Sequence, residues 1–271
     1  FFVSSNNQFG FKKGSSCAHA IYAVRSTIDY YVSRNSNVNL CALDLSKAFD
    51  KMSHYGLFVK LMERHIPVNL LKILEMWFQT GITCVKWGNM FSNFYQLNCG
   101  IRQGGVLSPY LFAVYIDSVI DRVRKSRVGC EINLANIGIL MYADDILLLA
   151  PTVTALQTML NICEVELAWL DMTINPAKSV CLRIGPNWNS VPACISTLNG
   201  AVISWQQSFR YLGVHIVAGR VFSCSIDSAK CAFYRAFNAV HGRVGNVASE
   251  EVILHIVKSK CMPHAMKKGT G

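Results

Sequence analysis

"MYADDILLLA", residues 141–150, sets two aspartates between two apolar runs. Residues 137–142 and 146–149 read as two short strands, with Asp144-Asp145 as the hairpin turn between them. Asp is a favourable turn residue. A two-residue hairpin nevertheless prefers Asn-Gly or Asp-Gly, because type I′ needs positive φ at both central positions. Two adjacent carboxylates also repel, by about 1 kcal/mol in water and about 4 kcal/mol at an effective dielectric near 20. A divalent cation shared with a third carboxylate would remove that repulsion.

Asp44 is the candidate for that third group, since it ends a second apolar strand, "VNLCALDL", residues 38–45. If these strands neighbour each other, three carboxylates meet at one sheet edge. Three hard oxygen ligands without His or Cys suit Mg²⁺, which keeps waters and takes its remaining ligands from substrate phosphates. Two such ions roughly 3.5–4 Å apart can activate an attacking 3′-hydroxyl and stabilise a leaving pyrophosphate.

Around this constellation the periodicity alternates between helices and strands. A helix capped by Ser15 or Ser16 carries Ala20, Val24, Thr27 and Tyr31 at helical spacing. Residues 56–65 and 67–81 read as successive helices, the second opened by Pro67 and closed by Gly81. Residues 83–100 read as a hairpin broken at Gly88-Asn89. The glycine-rich loop "GIRQGGVLSP" leads into a helix over 109–126, with Ser108 as cap and Pro109 as first residue. A helix over 152–170, strands over 179–184 and 211–216, and closing helices over 223–243 and 248–260 complete an α+β pattern.

The bulk composition narrows the classes further. The 271 residues are 52% hydrophobic, yet no apolar run reaches the ~18 residues of a membrane helix. The excess therefore reads as core, or as surface covered by neighbours in a larger protein. A net charge of +10 suggests a polyanionic partner. Eleven cysteines without a signal peptide or a C-x-x-C pair suit a reducing interior rather than a disulfide framework. The opening "FFVSSNN" and the ending "MKKGTG" read as those of a fragment.

Six stretches, "QFGFKKGSSCAHAI", "LDLSKAFDKMSH", "CGIRQGGVLSPYLFAVYID", "MYADD", "INPAKS" and "FRYLGVHI", follow one another across residues 8–216. In this order they resemble the reverse transcriptase domain of a non-LTR, LINE-type retrotransposon. The resemblance implies a right-hand polymerase palm, an antiparallel sheet with helices on one face. Residues 1–36 would be a partial fingers segment, 37–218 the palm with its insertions, and 219–271 the start of a truncated helical thumb.

Asp44 and Asp144 would be the principal metal ligands, with Asp145 assisting two Mg²⁺ ions, or Mn²⁺ in their place. Phe49 falls where the family places its sugar gate; by spacing alone it also fits a core aromatic. Arg102, Gln103 and Gly104 would meet template, phosphate and incoming base, although an ordinary loop before a helix has the same composition. Lys178, in "NPAKS", would protonate the leaving pyrophosphate, or else is solvated surface. Tyr142, and Leu212 and Gly213 in the primer-grip stretch, would touch the substrate and primer end.

Asp117 and Asp121 read as ordinary i, i+4 surface chemistry, and the basic cluster at Arg122, Arg124, Lys125 and Arg127 as a solvated helix end. The implied activity is RNA-directed DNA synthesis by an intracellular protein of cytoplasm and nucleus. It would use an RNA template, a DNA primer and dNTPs, away from any membrane, as part of a larger retroelement polyprotein. The alternatives are an inactive RNA- or DNA-binding fragment and a right-hand polymerase of another kind, such as an intron maturase or a telomerase-like enzyme.

Overall fold

A computed structural model describes residues 4–102, 104–225, 227–244 and 248–261. At its centre lies β1 (Val38–Leu43), buried at five of six positions. It pairs antiparallel on one side with β3 (Asp145–Ala150) and on the other with β4 (Val180–Ile184). The hairpin partner of β3, β2 (Ile139–Tyr142), closes one edge of the sheet. Beyond β4 lie β6 (Val202–Trp205), which runs parallel to it, and β5 (Ile195–Ser196). The six strands stand in the order β5-β6-β4-β1-β3-β2.

Alternation along the strands separates two cores. Cys41, Leu43, Ile139, Met141, Ile146, Leu148 and Cys181 face one way. Val38, Leu40, Leu140, Leu147, Leu149 and Leu182 face the other. The runs lack a polar face because both sides are covered, as expected of interior strands. Asn39 is the polar member of β1, and its side chain is satisfied: Nδ2 donates to the carbonyls of Ala150 and Pro151, and Oδ1 accepts from Arg183.

Helices cover the first face. They are α5 (Ser108–Lys125) and α6 (Val153–Trp169), with α2 (Ala48–Lys51), α3 (His54–Glu63) and α4 (Val68–Gln79) packed outside and beside them. The second face receives α1 (Cys17–Val32) through Val24 and Ile28. A separate three-stranded sheet of β7 (Ser208–Tyr211), β8 (Val214–Val217) and β9 (Ser223–Ser225) adds Phe209, Tyr211 and Ile216. The last helices, α7 (Asp227–Val244) and α8 (Glu250–Ile256), contribute no residue to either core among the described residues.

Most elements fall where the patterning puts them: Ser16 caps α1, α4 starts directly after Pro67 and α6 directly after Thr152. Four boundaries differ. The helix after the glycine-rich loop starts at Ser108 itself, whose backbone N–H bonds back to Gly105, so Ser108 is not its cap. The expected strand over 211–216 is two strands joined at Leu212-Gly213, both at positive φ (45° and 89°), the geometry of a type I′ hairpin. Residues 223–225 are strand, not helix. In the central hairpin Tyr142 pairs with Asp145, so the turn is Ala143-Asp144 and Asp145 is already a strand residue. Ala143, not an aspartate, carries the positive φ of 58°.

Candidate active site

Asp44 leaves the end of β1 and is fixed through its backbone by the segment before β4. Its N–H donates to Ser179 Oγ at 3.1 Å, and its carbonyl accepts from Asn175 N–H at 2.8 Å. The β1–β3 register sets Leu43 opposite Ile146, so the next pair outward is Asp44 and Asp145. Both line a cavity of about 420 Å³ with Lys178, Gln206, Arg210 and Tyr211. Lys178 Nζ lies 3.9 Å from Asp44 Oδ2.

Asp144 and Asp145 both feel the charge of Asp44. Loss of water, then the neighbouring charges of Asp144 and Asp44, push Asp145 up to about 6, with Arg210 opposing. Asp144 is raised too, by desolvation first and Asp44 second, against a hydrogen bond from its own backbone. A site that makes anionic oxygens costly is one that gains from a cation. The hard-oxygen donor set therefore fits Mg²⁺ in chemistry. In geometry the trio lies at one end of the sheet, where β1 and the β2–β3 hairpin finish, but the carboxylates stand apart. Among the described residues, no three His, Cys, Asp or Glu side chains converge closely enough to hold a metal ion. Lys178, 3.9 Å from Asp44, is the cation paired with that member of the trio.

The remaining residues divide. Phe49 is half-buried, stacked on Phe112 with centroids 4.2 Å apart and set edge-on to Phe11 at 6.4 Å. It is thus a core-anchored ring whose position is fixed by its neighbours. Arg102 is exposed and donates to the Ile82 carbonyl at 2.6 Å. Gly104 has φ +86° and open space around it, a backbone that a Cβ would strain without any contact requiring its absence. Gln103 lies outside the described residues. Tyr142 is half-buried beside Cys17, whose thiol, and then burial, push the phenol up to about 12. Leu212 and Gly213 form the hairpin tip next to Tyr211.

Several neighbours of the carboxylates lie outside the sequence-derived set, Gln206 in the cavity among them. Arg210 and Tyr211 line the cavity, and the buried Tyr211 hydroxyl is raised by desolvation and then by Asp145. Both belong to "FRYLGVHI", but an alternating strand pattern does not reveal which members face the carboxylates. Gln8 grips the turn from the far end of the chain. Asp117, read as surface chemistry, is buried instead: its carboxylate accepts from Ser5 N–H at 2.9 Å and pairs with Arg64.

A mostly antiparallel sheet, two long helices across one face and carboxylates gathered at the ends of β1 and the β2–β3 hairpin define a polymerase palm. The sequence profile described as reverse transcriptase (RNA-dependent DNA polymerase) matches residues 3–216, and the chain belongs to that family. The Pol polyprotein of the type-1 retrotransposable element R2 from Nasonia vitripennis is 26% identical over 183 residues, 65% of this chain and 18% of the relative. The RNA-directed DNA polymerase from the mobile element jockey of Drosophila melanogaster is 26% identical over 197 residues, 70% of this chain and 21% of the relative.

The R2DM polyprotein of the same fly is 25% identical over 224 residues, covering 79% of this chain and 21% of the relative. The chain thus resembles the reverse transcriptase domains of non-LTR retrotransposons and spans about a fifth of these relatives' length. In fold it is similar to the apo telomerase from Candida tropicalis truncated from its C-terminal domain. That match has TM-score 0.56 and 14% identity, over 82% of this chain and 40% of that one. Telomerase from Candida albicans, in complex with a fragment of telomeric RNA, matches with TM-score 0.54 and 14% identity over 94% and 43%.

Proposed function

We propose that the cleft at the strand ends extends a primer 3′-hydroxyl with dNTPs opposite an RNA template. The chain would act as the polymerase domain of a larger retroelement polyprotein, intracellular in cytoplasm and nucleus. The observation that carries this reading is the coupling of Asp144 and Asp145 to Asp44 at one end of a palm sheet, within a reverse transcriptase chain. Residues 1–36 would serve as partial fingers, 37–218 as palm and 219–271 as the start of a thumb. The net charge of +10 suits a nucleic-acid backbone. No described helix is long and apolar enough to cross a membrane.

Asp44, Asp144 and Asp145 would hold two Mg²⁺ ions, with Mn²⁺ as a substitute. Such ions, when bound, activate the attacking hydroxyl and offset charge on the leaving pyrophosphate. The chain's own groups would do the rest. Lys178, beside Asp44, would give a proton to the leaving pyrophosphate. Phe49, held by Phe112, would stand under the incoming sugar and exclude a 2′-hydroxyl. The Arg102–Gly104 loop, with Gln103, would meet template and incoming nucleotide, while Tyr142, Leu212 and Gly213 would border the primer end.

Primer extension on a primed RNA template, wild type beside Asp144→Asn, tests the reading. Extension by wild type that Asp144→Asn abolishes, with template binding intact in both, is the expected result. Template binding without extension by the wild type would assign the chain to nucleic-acid binding alone.

A further inference from the structure

The catalytic hairpin is strained at one residue, Ala143, and that residue is held from outside the palm. The segment Asn7–Gly10 runs along the free edge of β2: Met141 N–H donates to the Asn7 carbonyl, and Phe9 N–H donates to the Met141 carbonyl, both at 2.8 Å. Asn7 Nδ2 donates to the Ile139 carbonyl at 2.7 Å and to that of Asn136 at 3.1 Å. Gln8, fully buried, comes next. Its Oε1 accepts from Ala143 N–H at 3.1 Å and from Gly10 N–H at 2.9 Å, while its Nε2 reaches the Ala143 carbonyl at 3.4 Å. One carboxamide thus engages both backbone polar groups of the single positive-φ residue in the turn.

Gly10 lets the strap come this close, since a Cβ there would lie 2.3 Å from Ala143 N. The strap itself is tied down at Ser5, whose N–H bonds to the buried Asp117. A non-glycine residue at positive φ costs of order 1 kcal/mol and persists only where its surroundings fix it. Asp144 and Asp145 follow Ala143 directly, so a change in its backbone dihedrals re-aims both carboxylates.

We infer that Gln8 is a positioning residue: by clasping Ala143 it sets the direction of Asp144 and Asp145, and so the affinity of the site for divalent cations and the rate of nucleotide transfer. The inference rests on the polymerase reading for its kinetic part only. Gln8 touches neither substrate nor metal in this role, so its loss acts on the chemical step and spares template binding.

The test uses the whole chain, with Gln8→Met, which keeps the side-chain volume and removes every hydrogen bond. Mn²⁺ affinity, read by electron paramagnetic resonance, should fall ~10-fold, and kcat for primer extension ~10- to 100-fold, with KM for primer–template within ~2-fold. A folded Gln8→Met protein with wild-type Mn²⁺ affinity and wild-type kcat overturns the inference. If the wild type extends no primer, the polymerase reading fails by itself, and the ratio of Mn²⁺ affinities still decides the role of Gln8. Hydrogen exchange in the wild type needs no variant. The Ala143 amide should be protected like those of β3, and exchange at the rate of an exposed turn would refute the clasp even if Gln8→Met does not fold.

Discussion

The ring of Phe49 lies on that of Phe112, their planes within 20° of parallel. Phe112 is fully buried in α5, so the stack fixes Phe49 at the edge of the core. Core anchor and sugar gate are therefore compatible, because a gate discriminates only if it cannot move aside. Phe49→Val should raise rNTP incorporation relative to dNTP by ~10- to 100-fold. It should also cost about 2 kcal/mol of stability through lost burial and stacking. Competing single-nucleotide incorporation and urea unfolding measure the two effects; unchanged selectivity with the stability loss would leave Phe49 a core residue only.

Asp145 is held near 6, above the ordinary carboxylate value, so its ionised form is disfavoured in the folded protein. Its contribution to stability is greatest below the unfolded value, near 4, and is lost as pH rises through 6. Asp145→Asn should therefore stabilise the protein at pH 7 in the absence of divalent cations. The gain should be about 1 kcal/mol, since solvent reaching this exposed side chain screens much of the interaction. It should shrink toward zero near pH 4, where the wild-type carboxyl is protonated. Thermal unfolding of both proteins in chelator at several pH values follows the difference, and equal stability at pH 7 would show that Asp145 carries no such burden.

Much of this architecture was legible in the chain. The apolar runs of β1 and β3, the Pro67 and Gly81 boundaries, the Ser16 cap and the start of α6 near Thr152 are local signals, and local signals survive folding. What escaped depends on distant partners. Asp-Asp has the composition of a turn, yet the turn sits one residue earlier because Gln8, 135 positions away, stabilises Ala143 at positive φ. Asp117 has the i, i+4 spacing of a surface pair, yet Ser5 and Arg64 come to it across 112 and 53 positions. The two-residue edge strand β5 and the four-residue β6 beside it are too short for periodicity to separate from loop. At the site, the carboxylates were readable from type and spacing, whereas their separation depends on side-chain geometry.

Lys178 and Asp44 are 3.9 Å apart with side chains 70% and 41% exposed, so water screens the pair. Such a contact adds about 0.5 kcal/mol or less to stability. A proton donor to the leaving pyrophosphate is worth ~100-fold or more in rate. Lys178→Ala should therefore leave the thermal midpoint almost unmoved while lowering kcat by about that factor. Lys178→Arg should recover little, because a guanidinium does not release its proton. If Lys178→Ala polymerises at the wild-type rate, the lysine is solvated surface after all.

Arg64 and Asp117 pose the opposite balance, since the carboxylate is 5% exposed and its partner 23%. Burial raises Asp117 despite the Ser5 N–H and Arg64 opposing it, so even the paired carboxylate is ionised at a cost. Removing the guanidinium leaves that charge in low dielectric beside the Ser5 N–H. Arg64→Met should destabilise by about 3 kcal/mol, whereas Asp117→Asn, which removes the buried charge as well, should cost about 1 kcal/mol. Because Asp117 also anchors Ser5, both variants should loosen the strap that carries Gln8, and hydrogen exchange at Met141 and Ala143 should quicken along with it. Urea unfolding of the two variants ranks the losses. A smaller loss for Arg64→Met than for Asp117→Asn would mean that the carboxylate reaches water once the arginine is gone.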